Sequence, residues 1–439
     1  MSPANRVDLW RATIFHTPRS PFHNDGALVA LPDGGLATER GRIVGCGDFN
    51  EVRKAHPDAT QHDLRGGFLL PGFIDTHTHY PQGRILGGLG YSLLDWLDQL
   101  ALPEEAKLAD VSYATVLARE FAETLASHGT TTALVFGSHF TGATAALFRA
   151  AAERGLRIFS GLVLSDRHLR PELHQSPEAA YRDSKALIDC FHGKQRLGYA
   201  VTPRFALSAS EGILEVCQSL LRETSGLRFQ THINEQRGEI ARVLEVFPWA
   251  KDYLAVYERF DLIGQRAVLA HNVHATQDEL TRLAVGGASI AHCPCSNASL
   301  GSGIFPMRRH LEAGVHFSLG SDSGGGTGFG MLKEGLQAYL LQRLATSDLV
   351  LSAEQLLYLA TRAGAEALSI EEETGDFTLG KSADFVYLRA TDGSPLAAVL
   401  DHTDEPQRKL AALFTLAGAE SVRNTWVEGQ LVFWNEPAP

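Results

Sequence analysis

The sequence has no concentrated run of lysine and arginine, and its formal net charge is -12. Nucleic-acid binding depends on a dense basic surface, so both observations argue against a polyanionic partner. The chain also lacks an apolar run long enough to cross a membrane, and its N-terminal region lacks one of signal-peptide length. We therefore expect a cytoplasmic protein that acts on a small neutral molecule, not on nucleic acid or a membrane.

Cysteine is scarce, and the five cysteines show no disulfide spacing; they are Cys46, Cys190, Cys217, Cys293 and Cys295. An odd number without a framework is typical of a reducing compartment. The chain has no need of such bridges. With 439 residues and 44% hydrophobic content, it is long enough to bury about three quarters of its unfolded surface.

A glycine-rich phosphate-binding turn is absent after the first long apolar run, which argues against an open dinucleotide-binding sheet. Instead, eight apolar or β-branched runs alternate with longer stretches of helical character. The runs end near His79, Phe136, Leu164, Thr202, His232, His271, His292 and Asp322. Eight such units predict an α/β fold, specifically a closed parallel (β/α)8 barrel of the TIM type.

Both ends of the chain change to short strands and tight turns. The N-terminal end has Asp33-Gly34-Gly35 before a strand at 41–45, and the C-terminal end has strands at 384–388 and 426–433. Neither end has enough strands for a stable sheet, so we predict that they form one small β-sandwich domain together. The predicted division is 1–68 for the N-terminal part of the sandwich, 69–375 for the barrel and 376–439 for the C-terminal part.

Four predicted strand ends carry side chains that can bind a metal. His77 and His79 lie two residues apart on the first barrel strand, so both imidazoles point to the same side. His232, His271 and Asp322 end the fifth, sixth and eighth strands. Because catalytic groups in these barrels gather at the carboxyl ends of the strands, we predict a divalent cation there.

Three histidines and one aspartate around a cation leave one position for water, as in a catalytic zinc site. Such an ion lowers the pKa of bound water, which suits hydrolysis of a C–N bond. Asp322 can bind the ion and accept a proton, and Glu235 can carry a proton to a substrate nitrogen. The fourth strand, ending at 202–205, lacks a lysine that could bridge two ions. One ion is therefore favoured; zinc suits the ligands best, and they are also compatible with ferrous iron.

These motifs resemble the amidohydrolase superfamily over nearly the whole chain. The resemblance rests on Pro71-Gly72-Phe73-Ile74-Asp75-Thr76-His77-Thr78-His79, on His232, His271 and Asp322, and on the segment 375–384. Within the superfamily, motifs at 80–82, 93–97, 166–168, 202–205 and 292–297 resemble the guanine deaminase family. The resemblance implies zinc-dependent hydrolytic deamination of guanine to xanthine and ammonia.

The same resemblance implies roles for individual residues. The ligands of one zinc ion per chain are His77, His79, His232 and Asp322. Catalytic roles fall to Glu235, Asp322 and His271, and His271 hydrogen-bonds the water or the purine instead of ligating firmly. The implied contacts with the purine are polar ones from Gln82 and Arg204 and stacking from Phe205. The resemblance also implies a homodimer.

Other activities remain open at this point. A related aminohydrolase acting on another heterocycle, such as 8-oxoguanine, a pterin, cytosine or a triazine, would use the same site. A non-catalytic scaffold would be expected to have lost metal ligands. A nucleic-acid deaminase of the zinc type would show His-x-Glu and Cys-x-x-Cys, whereas this chain has His-x-x-Glu and Cys-x-Cys.

Several neighbouring residues receive a structural interpretation. We expect Asp166 and Arg167 to form a local salt bridge, Asn297 to hold a loop, and Cys293 and Cys295 to stay outside the metal site. Two positions depart from the guanine deaminase pattern: Asn272 follows His271, and Ser323 follows Asp322. We expect both to lie near the pocket mouth, where they would affect the choice of substrate.

Overall fold

The computed structural model describes residues 6–435. The strands before the barrel are β1 (Asp8–His16), β2 (Val29–Glu39), β3 (Arg42–Asp48) and β4 (Thr60–Pro71). The barrel strands are β5 (Phe73–His79), β6 (Thr130–Phe136), β7 (Arg157–Gly161), β8 (Val163–Leu164), β9 (Leu197–Pro203), β10 (Arg228–Ile233), β11 (Ala267–His271), β12 (Ser289–His292) and β13 (His316–Leu319). The strands after the barrel are β14 (Phe385–Leu388), β15 (Val422–Val427) and β16 (Gln430–Trp434).

The helices connect and cover these strands. Before the third barrel strand they are α1 (Phe49–Ala55), α2 (Leu93–Trp96), α3 (Leu102–Ala106), α4 (Val111–Ser127) and α5 (Thr141–Arg154). The later barrel helices are α6 (Pro177–Phe191), α7 (Glu211–Glu223), α8 (Arg237–Val246), α9 (Tyr253–Glu258), α10 (Gln277–Gly286), α11 (Pro294–Ser299), α12 (Met307–Ala313) and α13 (Met331–Leu344). The remaining helices are α14 (Ala353–Ala360), α15 (Arg362–Ala367), α16 (Pro395–Asp401) and α17 (Pro406–Leu416). Among residues 6–435, no helix combines the length and apolar character needed to span a bilayer.

Local sequence explains where several of these helices begin and end. The side chain of Thr276 accepts a hydrogen bond from the backbone N–H of Glu279, and the side chain of Glu279 accepts one from the backbone N–H of Thr276. This reciprocal capping box starts α10. Gly155 and Gly287 end α5 and α10 in the left-handed conformation that glycine adopts readily. Each of these glycines therefore ends its helix at the point where the chain turns back toward the next barrel strand.

The barrel strands are parallel and adjacent in the order β13-β12-β11-β10-β9-β7-β6-β5, and the short β8 also pairs with β9. The backbone N–H of Asp322 donates to the carbonyl oxygen of His77 at 2.8 Å, which joins the segment after β13 to β5. Thr76 also donates from its hydroxyl to the carbonyl oxygen of Leu319 at 2.8 Å. The predicted fold class is confirmed: an eight-stranded, nearly closed parallel barrel with a separate sheet built from both termini.

The terminal strands form one sheet in the order β16-β15-β14-β4-β1-β2-β3. The sheet curls so that its distant parts meet, and the N–H of Ile43 donates to the carbonyl oxygen of Lys381 at 2.9 Å. Inside the curl, the ring of Trp426 lies 4.7 Å from that of Phe385 and 4.9 Å from that of Trp10. These aromatic contacts give the sheet a hydrophobic core separate from that of the barrel.

The predicted turn at Asp33-Gly34-Gly35 is wrong, because these residues lie inside β2. The chain instead reverses at Arg40 and Gly41, between β2 and β3. Gly34 is adjacent to an irregularity in the pairing of β1 with β2, and a Cβ there would lie 2.7 Å from side-chain atoms of Ile14. The glycines therefore permit close packing between strands rather than a turn.

Gly72 separates the terminal sheet from the barrel, since β4 ends at Pro71 and β5 begins at Phe73. A Cβ at Gly72 would lie 2.2 Å from the hydroxyl oxygen of Thr131, so only glycine fits this crossing. The division into 1–68, 69–375 and 376–439 stays a proposal. Its outer residues, 1–5 and 436–439, lie outside the described part of the chain.

One buried carboxyl group in the barrel wall has no cationic partner among its hydrogen bonds. Glu334 on α13 is fully buried, and its Oε2 accepts the backbone N–H of Cys295 at 3.1 Å. Burial raises the pKa of Glu334 to about 8 from its ordinary value of 4.5. The folded protein therefore keeps this carboxyl group protonated at neutral pH, whereas the unfolded chain ionises it.

A Glu334→Gln variant should reveal this proton. Between pH 4.5 and about 8 the unfolded wild-type chain holds one proton fewer at this residue, so wild-type stability should fall by about 1.4 kcal/mol per pH unit relative to the variant. Urea unfolding at pH 5, 6, 7 and 8 measures the difference. The control is Glu312→Gln, at an exposed position on α12; a constant difference between Glu334→Gln and wild type at all four pH values would contradict the assignment.

Candidate metal centre and active site

Four buried side chains from three strand ends bring one ligand atom each to a common point. The Nε2 atoms of His77 and His79, both on β5, lie 3.3 Å apart. His232 on β10 places its Nε2 atom 3.2 Å from that of His79. The Oδ1 atom of Asp322, just past β13, lies 3.3 Å from Nε2 of both His77 and His79. The four ligand atoms all lie within 4.8 Å of one another.

This spacing is what a single cation requires. Ligand atoms held at about 2.0–2.2 Å from one ion lie roughly 2.8–4.4 Å apart, depending on the angle between them, and the separations between neighbours here are 3.2 and 3.3 Å. Three imidazole nitrogens and one carboxylate oxygen suit zinc and are compatible with ferrous iron. The residues present therefore fit a mononuclear metal centre.

The protonation of these side chains also suits a metal. Burial lowers the pKa of His77 to about 4 and lowers the pKa values of His79 and His232, so all three imidazoles are in the neutral form that ligates. The Nδ1 atom of His232 donates to the carbonyl oxygen of Arg204 at 2.6 Å, which leaves the Nε2 lone pair for the centre. Burial opposes ionisation of Asp322, but His77 and His79 hold its pKa well below the usual range.

Hydrogen bonds between β5 and the segment after β13 fix the position of Asp322. Asp75 accepts the backbone N–H of Ser321 at 3.0 Å and its hydroxyl at 2.5 Å. Asp322 itself has a φ of 44°, and His271 has a φ of 73°. Such backbone conformations cost a non-glycine residue about 1–3 kcal/mol. The surrounding contacts therefore hold both residues in a backbone conformation that they would not adopt alone.

His271 and Glu235 lie beside the four-residue cluster. Nε2 of His271 is 3.5 Å from Oε2 of Glu235 and 3.8 Å from Oδ2 of Asp322. Burial raises the pKa of Glu235 to about 7, and the hydroxyl of Ser302 donates to its Oε1 at 3.1 Å. Burial alone would lower the pKa of His271, but Glu235 and Asp322 more than offset it and the pKa is raised. This pair can hold and release protons close to neutral pH.

A cavity lies directly against this cluster. Its polar wall consists of His79, Gln82, Arg204, His232, Glu235, His271 and Asp322. Its apolar wall consists of Leu93, Trp96, Leu97, Phe205 and Leu300. Three of these apolar residues come from α2 and the π-helical turn that follows it, Leu97–Ala101. The cavity therefore suits a small, flat ring that carries polar groups on its edge.

Comparison with known proteins agrees with this geometry. The profile of the amidohydrolase family matches residues 68–432. The chain belongs to the amidohydrolase family. A probable guanine deaminase from Deinococcus radiodurans is 57% identical over 436 residues, covering 98% of this chain and 99% of that protein. The recognition based on sequence motifs is confirmed, and the chain is a hydrolase that acts on carbon–nitrogen bonds.

Solved structures give the same result for the fold. The E. coli guanine deaminase has a TM-score of 0.93 and 35% identity, with 98% of this chain and 99% of that chain covered. A guanine deaminase from C. acetobutylicum with guanine bound in its active site has a TM-score of 0.88 and 25% identity, with 98% and 100% covered.

In this amidohydrolase, all of the site residues singled out in the sequence come together. The metal-capable cluster and the pair His271 and Glu235 meet at one edge of the barrel. Gln82, Arg204 and Phe205 line the adjoining cavity. Their roles toward metal and substrate are taken up below as proposals.

The contacts of two buried residues of the site, Glu105 and Asn297, were not predicted from the sequence. Glu105 on α3 pairs with Arg204, one of its oxygens lying 2.7 Å from Nη1. Asn297 was expected only to hold a loop, but its Oδ1 atom also lies 2.9 Å from Nδ1 of His271. Asn297 lies in the 292–297 motif, so its sequence position gave a signal. No sequence pattern marked Glu105, because its partner Arg204 is 99 residues away in the chain.

The two departures from the guanine deaminase pattern lie elsewhere than expected. Asn272 and Ser323 are fully buried, and neither is among the residues that line the cavity. The Ser323 hydroxyl lies 2.8 Å from that of Thr78 and so ties the loop after β13 to β5. The Nδ2 atom of Asn272 lies 3.0 Å from Nε2 of His310. Both residues therefore support the strand ends instead of contacting the cavity.

Cys293 lies closer to the centre than the sequence suggested. Its sulfur is within 4.8 Å of ligand atoms of His77 and His271. Burial raises its pKa well above the ordinary value, so the sulfur is a neutral thiol. The thiolate is the metal-binding form of cysteine, and the cluster of His77, His79, His232 and Asp322 already supplies four ligand atoms without this sulfur.

Asp166 and Arg167 lie outside the cavity lining and make separate structural contacts. Asp166 accepts the backbone N–H of Ser210 at 2.8 Å, at the N-terminus of α7. Arg167 donates to the carbonyl oxygen of Ala209 at 2.7 Å and packs over the ring of Phe247. The expected salt bridge is wrong, because within residues 6–435 no ion pair joins Asp166 to Arg167. Both residues instead bind the segment 209–210 at the barrel rim.

Proposed function

We propose that this amidohydrolase is a zinc-dependent guanine deaminase that converts guanine and water to xanthine and ammonia. The convergence of His77, His79, His232 and Asp322 beside a cavity suited to a flat ring carries the proposal. The names of the relatives support the substrate, because the D. radiodurans and E. coli proteins are called probable guanine deaminase and guanine deaminase. The C. acetobutylicum structure, with guanine bound, supports it as well.

The metal ligands in this proposal are His77, His79, His232 and Asp322. One zinc ion held by them would supply Lewis acidity and an activated water. The neutral imidazoles and the ionised carboxylate are ready to ligate without a further change in protonation.

Glu235 is proposed to move the proton to the ring. Its pKa of about 7 keeps a protonated population at neutral pH, and burial keeps bulk water from competing for that proton. Glu235 gives the proton to the ring nitrogen adjacent to the amino-bearing carbon. Asp322 accepts one proton from the attacking water and passes it to the departing amine, which leaves as ammonia. Glu235 regains its proton from the hydroxyl group of the tetrahedral centre as that group becomes the carbonyl of xanthine.

His271 is proposed to orient and stabilise the reacting group. It lies between the Glu235 and Asp322 carboxylates, at 3.5 and 3.8 Å. Its Nδ1 atom is fixed by Asn297 at 2.9 Å, so Nε2 faces the reaction site. Because Nδ1 donates to the Asn297 oxygen, Nε2 donates a hydrogen bond to the water or to the tetrahedral centre in the imidazolium form, which the raised pKa of His271 favours.

The cavity walls are proposed to hold the purine. Phe205 offers a flat apolar surface for stacking, and Gln82 and Arg204 offer polar contacts at the ring edge. The cytoplasmic location and the homodimer remain proposals from the sequence. Zinc is preferred to iron on ligand type.

Ammonia release tests the substrate directly. Purified protein loaded with one equivalent of zinc should release ammonia from guanine and form xanthine. The same assay with 8-oxoguanine, a pterin, cytosine and a triazine should give much lower kcat/KM. Faster turnover of one of these rings, or no ammonia from guanine, would contradict the proposed substrate.

A Glu235→Gln variant tests the proton step. The amide keeps the size of the side chain but cannot transfer the proton, so kcat should fall by about 10²- to 10⁴-fold. The zinc content should stay at the wild-type level, because Glu235 is not a proposed ligand. Steady-state kinetics and elemental analysis on the same preparation measure both quantities; a variant with wild-type kcat would rule out the proton role.

A further inference from the structure

Glu105 is a buried carboxylate behind the cavity wall, and three side chains of the site region converge on it. Nη1 of Arg204 donates to both of its oxygens, at 2.7 and 2.9 Å. Nε2 of Gln82 donates to Oε1 at 2.7 Å. Nε2 of His139 lies 3.2 Å from Oε2. Glu105 is therefore shared by Gln82 and Arg204, which both line the cavity, although Glu105 itself does not.

The charge of Glu105 determines how these neighbours are oriented. Burial opposes its ionisation, but Arg204 and His139 more than offset this and hold the pKa of Glu105 below the usual range. An ionised carboxylate can only accept hydrogen bonds. The amide of Gln82 must therefore turn its NH₂ group toward Glu105, and its carbonyl oxygen Oε1 points away.

The Oε1 atom of Gln82, a residue of the cavity lining, is consequently an acceptor without a partner. It is fully buried, and within residues 6–435 no group donates a hydrogen bond to it. Gly324, in the loop after β13, packs closely against it, since a Cβ there would lie 2.3 Å from Oε1. Buried polar atoms are nearly always paired, so a lone acceptor on a residue that lines a cavity points to a ligand donor.

Arg204 supplies the complementary donors. Both of its bonds to Glu105 come from Nη1, and the guanidinium group carries three further N–H bonds on Nε and Nη2. Because Arg204 lines the same cavity as Gln82, the wall offers donors beside an acceptor.

We propose that Glu105 is a positioning residue that sets the hydrogen-bond polarity of this wall, with an acceptor at Gln82 and donors at Arg204. The wall then selects heterocycles that carry a ring N–H group together with a carbonyl oxygen. This inference rests on the proposed function, because guanine has both groups. It adds that the selection depends on the negative charge of a residue that does not contact the ring.

Binding of two purines that differ only in these groups tests the proposal without turnover. Hypoxanthine has a carbonyl oxygen with a neighbouring ring N–H, whereas unsubstituted purine lacks this pair, and neither has an amino group to lose. By titration calorimetry, the zinc-loaded wild-type protein should bind hypoxanthine at least about tenfold more tightly than purine, a ratio typical of one or two net hydrogen bonds.

A Glu105→Gln variant should reduce this preference to about threefold or less, because the neutral amide no longer dictates the orientation of Gln82. The matched control is Glu104→Gln on the same helix; the Glu104 carboxylate pairs with Lys107 at 2.6 Å and not with Gln82 or Arg204. This control should keep the wild-type preference. Zinc content and thermal unfolding of each variant show whether it is folded.

If Glu105→Gln does not fold, Gln82→Met serves instead, since it removes the acceptor and leaves the pair of Glu105 with Arg204 in place. It should lose the preference to a similar extent. A folded Glu105→Gln variant, or failing that a Gln82→Met variant, with the wild-type ratio for hypoxanthine over purine would overturn the proposal. Loss of zinc with an unchanged ratio would also overturn it, since that result indicates a structural role only. Failure of the proposed function is separate, because it is read from ammonia release by the wild-type protein.

Discussion

The active site depends on the closure of the barrel between its first and last strands. The side chains of His77 and His79 point to the same side of β5. The cluster of metal-capable side chains also needs Asp322, which approaches them from the segment after β13. The hydrogen bond from the Asp322 N–H group to the His77 carbonyl oxygen, at 2.8 Å, makes this connection with backbone atoms. Asp75 reinforces it through Ser321. The interactions that complete the fold therefore also place the ligands.

Burial acts on every ionisable group of the site, and the neighbours of each group decide the result. The three clustered imidazoles remain neutral because burial outweighs the effect of the Asp322 carboxylate beside His77 and His79. Asp322 and Glu105 remain ionised because histidine or arginine side chains face them. Glu235, with weaker compensation, has a pKa of about 7. The site region thus contains three carboxyl groups in different states: Asp322 is ionised beside the imidazoles, Glu235 holds a proton part of the time at neutral pH, and Glu105 is ionised behind the cavity wall.

Sequence reasoning recovered the parts of this arrangement that depend on local periodicity. The spacing of His77 and His79, together with apolar runs ending at His232 and near Asp322, was sufficient to predict the barrel and the convergence of these four side chains. The contacts that sequence reasoning missed are between residues far apart in the chain. The pair of Glu105 with Arg204 spans 99 positions, and Glu105 sits on a five-residue helix whose sequence has no distinguishing pattern. Gly34 was misread for a related reason, since its close contact with Ile14 belongs to another strand.

The geometry of the site requires that one cation bind between three imidazoles and a single carboxylate. An anomalous difference map, collected at the zinc edge from crystals of the zinc-loaded protein, tests this requirement most directly. We expect one strong peak at about 2.0–2.2 Å from Nε2 of His77, His79 and His232 and from a carboxylate oxygen of Asp322. Two peaks in the cavity, or one peak without His232 or Asp322 in its coordination shell, would contradict it.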